Sequence, residues 1–311
     1  MVQLHKLDKK VHEIRNITVL YISNIIQLGI IATYPILYFF TDLHFSSLFR
    51  QIFNDLNENL DVRSHKKSSI NAVRNIFILY YIVVFTGQFL RWHYFGRVFG
   101  FALVVSCVIV AYGYVFQTYA MYITIICIIK NELRSVNKKI KEYLNHGQYH
   151  LVTKEDIYRL DKKYNTLYNI SMKLNEKYSI LIASVFFMDT AGIASGIFKV
   201  SQNFIETYIA QAATKISPIL IHELEWWCHH LCFFLWVIHT SVSTQQKAHK
   251  TALLAHKLHL HNTNPELTAA TGTFRRHLKL QEMKFTGSDM FDVNYETMLS
   301  VSILVHWIRH V

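Results

Sequence analysis

The chain has 311 residues, of which 51% are hydrophobic and 17% charged, with a net charge of +11, ten glycines and three prolines. That balance, with a positive mean hydropathy, lies outside the ordinary range of a soluble domain and points to a membrane protein. The basic residues fall between apolar runs, which argues against a nucleic-acid surface, and the four cysteines sit inside apolar runs, which argues against a disulfide framework.

The N-terminal MVQLHKLDKKVHEIRN is basic and amphipathic, unlike a removable signal peptide. Ile17 to Phe40 is the first run long enough to cross a bilayer, and Pro35 is tolerable within such a helix. Asn75 to Leu90 predicts a second span, closed at Arg91 by an interfacial cluster of Arg91, Trp92, His93 and Tyr94. Phe99 to Ile129 would be about 46 Å long as a helix, so it must tilt or project beyond the bilayer. Ser179 to Val200 and Ile219 to Ser241 predict two further spans, the first with Gly192 and Gly196 spaced for close helix approach. A partial one follows over residues 297–311. The fold class expected is all-α: a polytopic membrane helical bundle in a single domain, with cytoplasmic helical extensions.

The extensions come from KNELRSVNKKIKEYL (130–144) and DIYRLDKKYNTLYNISMKLNEKYSILI (156–182), where apolar residues recur at three and four while charges fill the other faces. Lys and Arg density sets the orientation. Linker 41–74 holds Arg50, Arg63, Lys66, Lys67 and Arg74, linker 130–178 holds eleven basic residues and linker 242–296 holds seven, against Lys215 alone in 201–218. The three basic linkers should therefore be cytoplasmic. Lys6, Lys9, Lys10 and Arg15 break the alternation, and an additional upstream helix would restore it.

Polar groups within the spans are the candidate site. Asp189 lies mid-span, where an ionisable side chain is costly and either faces a cavity or binds a neighbouring helix. HELEWWCHHLC (222–232) places Trp226 and His230 where a small organic ligand could be stacked and hydrogen-bonded, the alternative being an interfacial tryptophan belt, which suits Trp227. Asn24, Gln27 and Gln88 are uncharged polar groups at the outer side that either contact a ligand or tie helices together. Cys228, His229 and Cys232 have no second cluster to complete a tetrahedral metal site, and His256, His259 and His261 form a solvated basic face. No phosphate loop, dinucleotide fingerprint or nucleophile elbow occurs, so neither an enzyme nor a cofactor is expected. No internal repeat suggests a transporter.

YRLDKKYNTLYNISMKLNEKYSILIASVFFMDT (158–190), with its Leu174-Asn175 pair, resembles the helix entering the fifth span of insect gustatory receptors. QQKAHKTALLAHKL (245–258) and FRRHLKLQEMKFTGSDMFDVNYETMLS (274–300) resemble that family's signature region: a cytoplasmic helix, an F-T-x-x-x-x-F turn at Phe285, Thr286 and Phe291, and a final helix. The resemblance runs from Ile17 onward, with the first span matching the family's second. It implies a ligand-gated, cation-selective channel in the plasma membrane, assembled as a homo- or hetero-tetramer with other such subunits and surrounded by lipid. A tastant pocket would open outward among the early spans. The pore would be lined by the last helix, with Thr286, Phe291, Ser302 and His306 at pore or gate. That helix reads LVHWIRHV where the family has a Thr-Tyr, apolar run, Gln-Phe motif, so the chain by itself is expected to give no ligand-evoked current. The alternative to a channel subunit is a non-conducting truncated one that scaffolds or regulates full-length receptors.

Overall fold

The computed structural model describes residues 99–145, 152–209, 218–261, 264–287 and 290–297, with side chains from Tyr119 onward in the first stretch, and single residues within 51–86 and 299–303. The expected spans 17–40 and most of 75–91 lie outside these. Among the described residues no helix is long and apolar enough to cross a membrane.

Helix α1, Phe99–Asn145, joins the apolar run 99–129 to the charged segment 130–144 in one rod. Helix α2, Lys154–Ile209, does the same over 56 residues, about 84 Å at the usual rise. Its start is a reciprocal cap: the Asp156 amide donates to Thr153 Oγ1 at 3.2 Å, and Asp156 Oδ2 accepts from the Thr153 amide at 3.1 Å. The Thr153 hydroxyl, which donates to Asp156 Oδ2 at 2.8 Å, and then the Thr153 amide hold the Asp156 carboxyl below the usual carboxylate range. The helix continues through SQNFIETYI (201–209), which the charge pattern had assigned to a linker. Phe204, Ile205, Tyr208 and Ile209 keep a helical period there without glycine or proline.

Helix α3 runs Pro218–Leu260 and carries the span 219–241 and the QQKAHKTALLAHKL segment as one element. The short α4, Pro265–Leu280, is capped by Asn264, whose side chain accepts from the Glu266 amide at 3.0 Å, with Pro265 in the first turn, where its missing N–H costs nothing. Helices α1 and α2 pack along α3, and α4 packs on α2 and α3.

The core is a set of seams with alternating steps of three and four. On α1 it reads Tyr119, Tyr122, Ile126, Ile129, Leu133, Val136 and Ile140, all buried. On α2 it reads Ile157, Leu160, Tyr164, Leu167, Ser171, Leu174, Tyr178, Leu181 and Val185. The α3 seam is Phe234, Val237, Ser241, Thr244, Ala248, Thr251, Ala255 and Leu258. This is the spacing of coiled-coil packing, in which the same face meets its neighbour turn after turn. Small residues through the middle of the α3 seam allow close approach, and Thr244 and Thr251 return their hydroxyls to Thr240 O at 2.8 Å and Lys247 O at 3.0 Å.

The charged half is tied by specific bonds. Lys163 meets the buried Glu132 at 2.6 Å, joining α2 to α1, and Asn137 donates to Lys247 O at 3.0 Å, joining α1 to α3. Helix α4 is held on α2 by His277 Nδ1 to Asp161 at 2.9 Å, by Gln281 to Asn165 at 3.0 Å and by Tyr164, which donates to Gln281 O at 2.9 Å. Burial, with Tyr168 and Glu282 nearby, pushes the Tyr164 hydroxyl up to about 12.

Because that folded value exceeds the ordinary one of about 10, the contribution is whole below about pH 10 and is lost as pH rises through about 12. Tyr164→Phe is expected to cost about 1 kcal/mol at neutral pH and to remove this tyrosine's share of the alkaline loss. Thermal unfolding in detergent across pH checks both.

Candidate functional site: a buried polar triad above a docked hairpin

Three side chains from three helices meet inside the apolar half of the bundle. Asp189 of α2 is 2% exposed, His230 of α3 3% and Tyr119 of α1 1%. The Tyr119 hydroxyl donates to Asp189 Oδ2, and His230 Nδ1 lies 2.6 Å from Asp189 Oδ1. A buried ionisable group needs such partners, because the apolar side chains around it offer none. Asp189 and His230, singled out in the sequence for different reasons, are thus brought into contact. Tyr119 is a third member that no sequence signal marked, being one tyrosine among several in an apolar run.

Aromatic rings flank this triad. Tyr119 stacks on Phe233, with centroids 5.7 Å apart and an interplanar angle of 22°. Phe186, one turn from Asp189 on α2, lies 4.8 Å from Phe234, one turn from His230 on α3. Phe186 also lies 5.4 Å from Phe291.

Phe291 belongs to a small antiparallel hairpin, β1 Thr286–Gly287 and β2 Phe291–Asp292, paired Thr286 with Asp292 and Gly287 with Phe291. The sequence placed a turn here; the structure adds the strand pairing. The Val293 amide closes the hairpin on Phe285 O at 2.8 Å, and both Phe285 and Val293 are fully buried. Asn175 of α2 binds the hairpin's first arm with both ends of its amide, donating to Lys284 O at 2.6 Å and accepting from the Thr286 amide at 3.3 Å. Beyond the hairpin, Asn294 Oδ1 accepts from the Thr297 amide at 3.0 Å and so caps the final helix. Tyr295 meets His239 of α3 at 3.0 Å. A cleft of about 870 Å³ opens beside the Asn175 clamp, lined by residues including Asn169, Lys173, Glu176, Glu282 and Lys284.

Of the expected pore residues, Thr286 and Phe291 are in the hairpin and pack on α2, whereas Ser302 and His306 lie outside the described residues. Of the expected ligand residues, Asn24, Gln27 and Gln88 lie outside them too, as does the side chain of Trp226, whose backbone is in α3. Cys228 and Cys232 are free and exposed. Among the described residues no three His, Cys, Asp or Glu side chains form a group that could hold a metal.

Comparison with known proteins gives a family and a fold. A family profile described as "7tm Chemosensory receptor" matches residues 3–305. An insect olfactory receptor, OR5 of Machilis hrabei, solved in complex with eugenol, has a similar structure: TM-score 0.64 at 12% sequence identity, covering 90% of this chain and 77% of that one. At that identity the likeness concerns the fold. No curated protein matches the sequence.

A side chain at Gly287 would crowd the hairpin: a Cβ there would meet the Phe291 ring, which would have to shift. Phe186 flanks that ring at 5.4 Å. Gly287→Ala is expected to destabilise by about 1–3 kcal/mol through overpacking, and to add little on a Phe291→Ala background. Thermal midpoints of the two single variants and the double variant check this coupling, which additive losses would contradict.

Proposed function

The chain belongs to the 7tm chemosensory receptor family, multi-pass proteins of the cell membrane rather than enzymes, and we propose that it is a gustatory subunit of a ligand-gated cation channel. The observation that carries this reading is the hairpin at 285–293. It reverses the chain where Asn175 grips it from α2, and the Asn294 cap starts a new helix whose Tyr295 meets His239 of the apolar run 219–241. A helix delivered in that way is suited to line a pore, while the bundle behind it holds the ligand.

On this reading the apolar parts of α1, α2 and α3 lie in the bilayer, and the charged parts, with α4 and the hairpin, lie in the cytoplasm. The excess of Lys and Arg in 130–178 and 242–296 supports that orientation. A small water-soluble tastant enters from outside and is contacted by Asn24, Gln27, Gln88 and Trp226, with Asp189 and His230 forming the floor beneath. Four subunits, identical or mixed with other receptors of the family, surround one pore. Its residues are Ser302 and His306, and its foot is Thr286 and Phe291. The taste assignment is supported by the stretches 158–190 and 274–300, which resemble gustatory receptors.

Co-expression with a conducting gustatory receptor in insect cells tests the proposal, with sucrose, fructose, caffeine, quinine and eugenol as probes. The expected result is co-purification of the two chains and a cation current to a sugar or alkaloid that the partner alone does not give. A current confined to eugenol would contradict the taste assignment. Absence of both co-purification and any altered current would contradict the role as a channel subunit.

A further inference from the structure

We propose that Tyr119, Asp189 and His230 act as a latch: they fix the axial register of α2 against α3 and α1, and through the aromatic rung beside them they hold the hairpin that feeds the final helix. The three are positioning residues, and none needs to touch ligand or permeating ion.

The argument begins with what the apolar part of the interface lacks. Apart from tyrosines such as Tyr122 and Tyr178 and the small Ser241, its seam is built of Leu, Ile, Val and Phe side chains, which pack about equally well after a slide of one turn. A slide would separate Asp189 from His230, both within 3% of complete burial, and so break the contact between them. Polar groups in such surroundings therefore specify register even where they add little net stability. Tyr119 extends the constraint to the third helix by donating to the second oxygen of the same carboxyl.

Register matters one turn away. Phe186 lies one turn before Asp189 and Phe234 one turn after His230, so the 4.8 Å contact of the two rings is set by the polar pair. Phe186 is also the wall against which Phe291 rests at 5.4 Å. On its other side Phe291 covers Gly287, where an added methyl group would push on the ring. The ring lies between a helix whose position the latch sets and the hairpin's own backbone. A slip of α2 against α3 would displace Phe186 and free the hairpin on that side, leaving the Asn175 clamp as its other attachment to α2.

The consequence for gating rests on the channel reading; the state of the hairpin can be read without it. Hydrogen exchange on the full chain in lipid nanodiscs is the test, comparing the wild type with Asp189→Leu, His230→Leu and the near-isosteric Asp189→Asn. In both leucine variants, exchange across 284–294 is expected to rise about tenfold or more, as for local opening of a docked unit, while 156–174 of α2 keeps its protection. Asp189→Asn, which retains an acceptor for Tyr119 and a partner for His230, is expected to restore wild-type exchange. Unchanged hairpin exchange in the leucine variants would overturn the proposal. Equal loosening of 156–174 would overturn it too, since that marks general unfolding rather than register. So would an Asp189→Asn variant as loose as Asp189→Leu.

Discussion

The structure depends on packing seams that stay constant while their surroundings change. On α1, α2 and α3 the inward positions keep steps of three and four from the apolar half into the charged half. The outward positions change from Ile180 and Phe187, both more than 60% exposed, to Lys, Glu and Arg. Lipid can accept the first outer surface and water the second. The inner seam needs neither, because van der Waals packing of interlocked side chains works in both solvents. Long rods can therefore stay joined along both their apolar and their charged halves.

Each half adds its own specificity. In the charged half, Glu132 with Lys163, Asn137 with Lys247 O, and Asp161 with His277 decide which helices pair. In the apolar half that work falls to Tyr119, Asp189 and His230, and the Phe186–Phe234–Phe291 rung relays it to the hairpin. The hairpin lies where these two systems meet. Asn175 grips it from the charged side and Phe186 supports it from the apolar side, so it is sensitive to the relative position of both.

Much of this was legible in the sequence because periodicity and charge density are local properties. The helices over 130–144 and 156–182, the mid-span oddity of Asp189 and the special character of the Phe285–Phe291 turn could all be read from spacing or resemblance. What remained hidden were choices of partner. Nothing in the residues around Tyr119 distinguishes it from Tyr122, which is equally buried on the same seam, because only the packed bundle aims one hydroxyl at Asp189. Asn175 was visible as part of a Leu-Asn pair, but its two-ended grip on Lys284 and Thr286 spans more than a hundred residues of chain. In the linker 201–218, sparse basic charge indicated a side of the membrane but carried no information on where the helix ends, and α2 continues to Ile209.

The central claim is that the charged half, with α4 and the hairpin, lies on the cytoplasmic side, so that the final helix enters the membrane from within. Labelling of Lys279→Cys by a membrane-impermeant maleimide, in a background with the four native cysteines replaced, tests it directly, with Ser201→Cys as the outer counterpart. The expected result is that Lys279→Cys reacts only after the cells are permeabilised, whereas Ser201→Cys reacts in intact cells. Labelling of Lys279→Cys in intact cells would contradict the account.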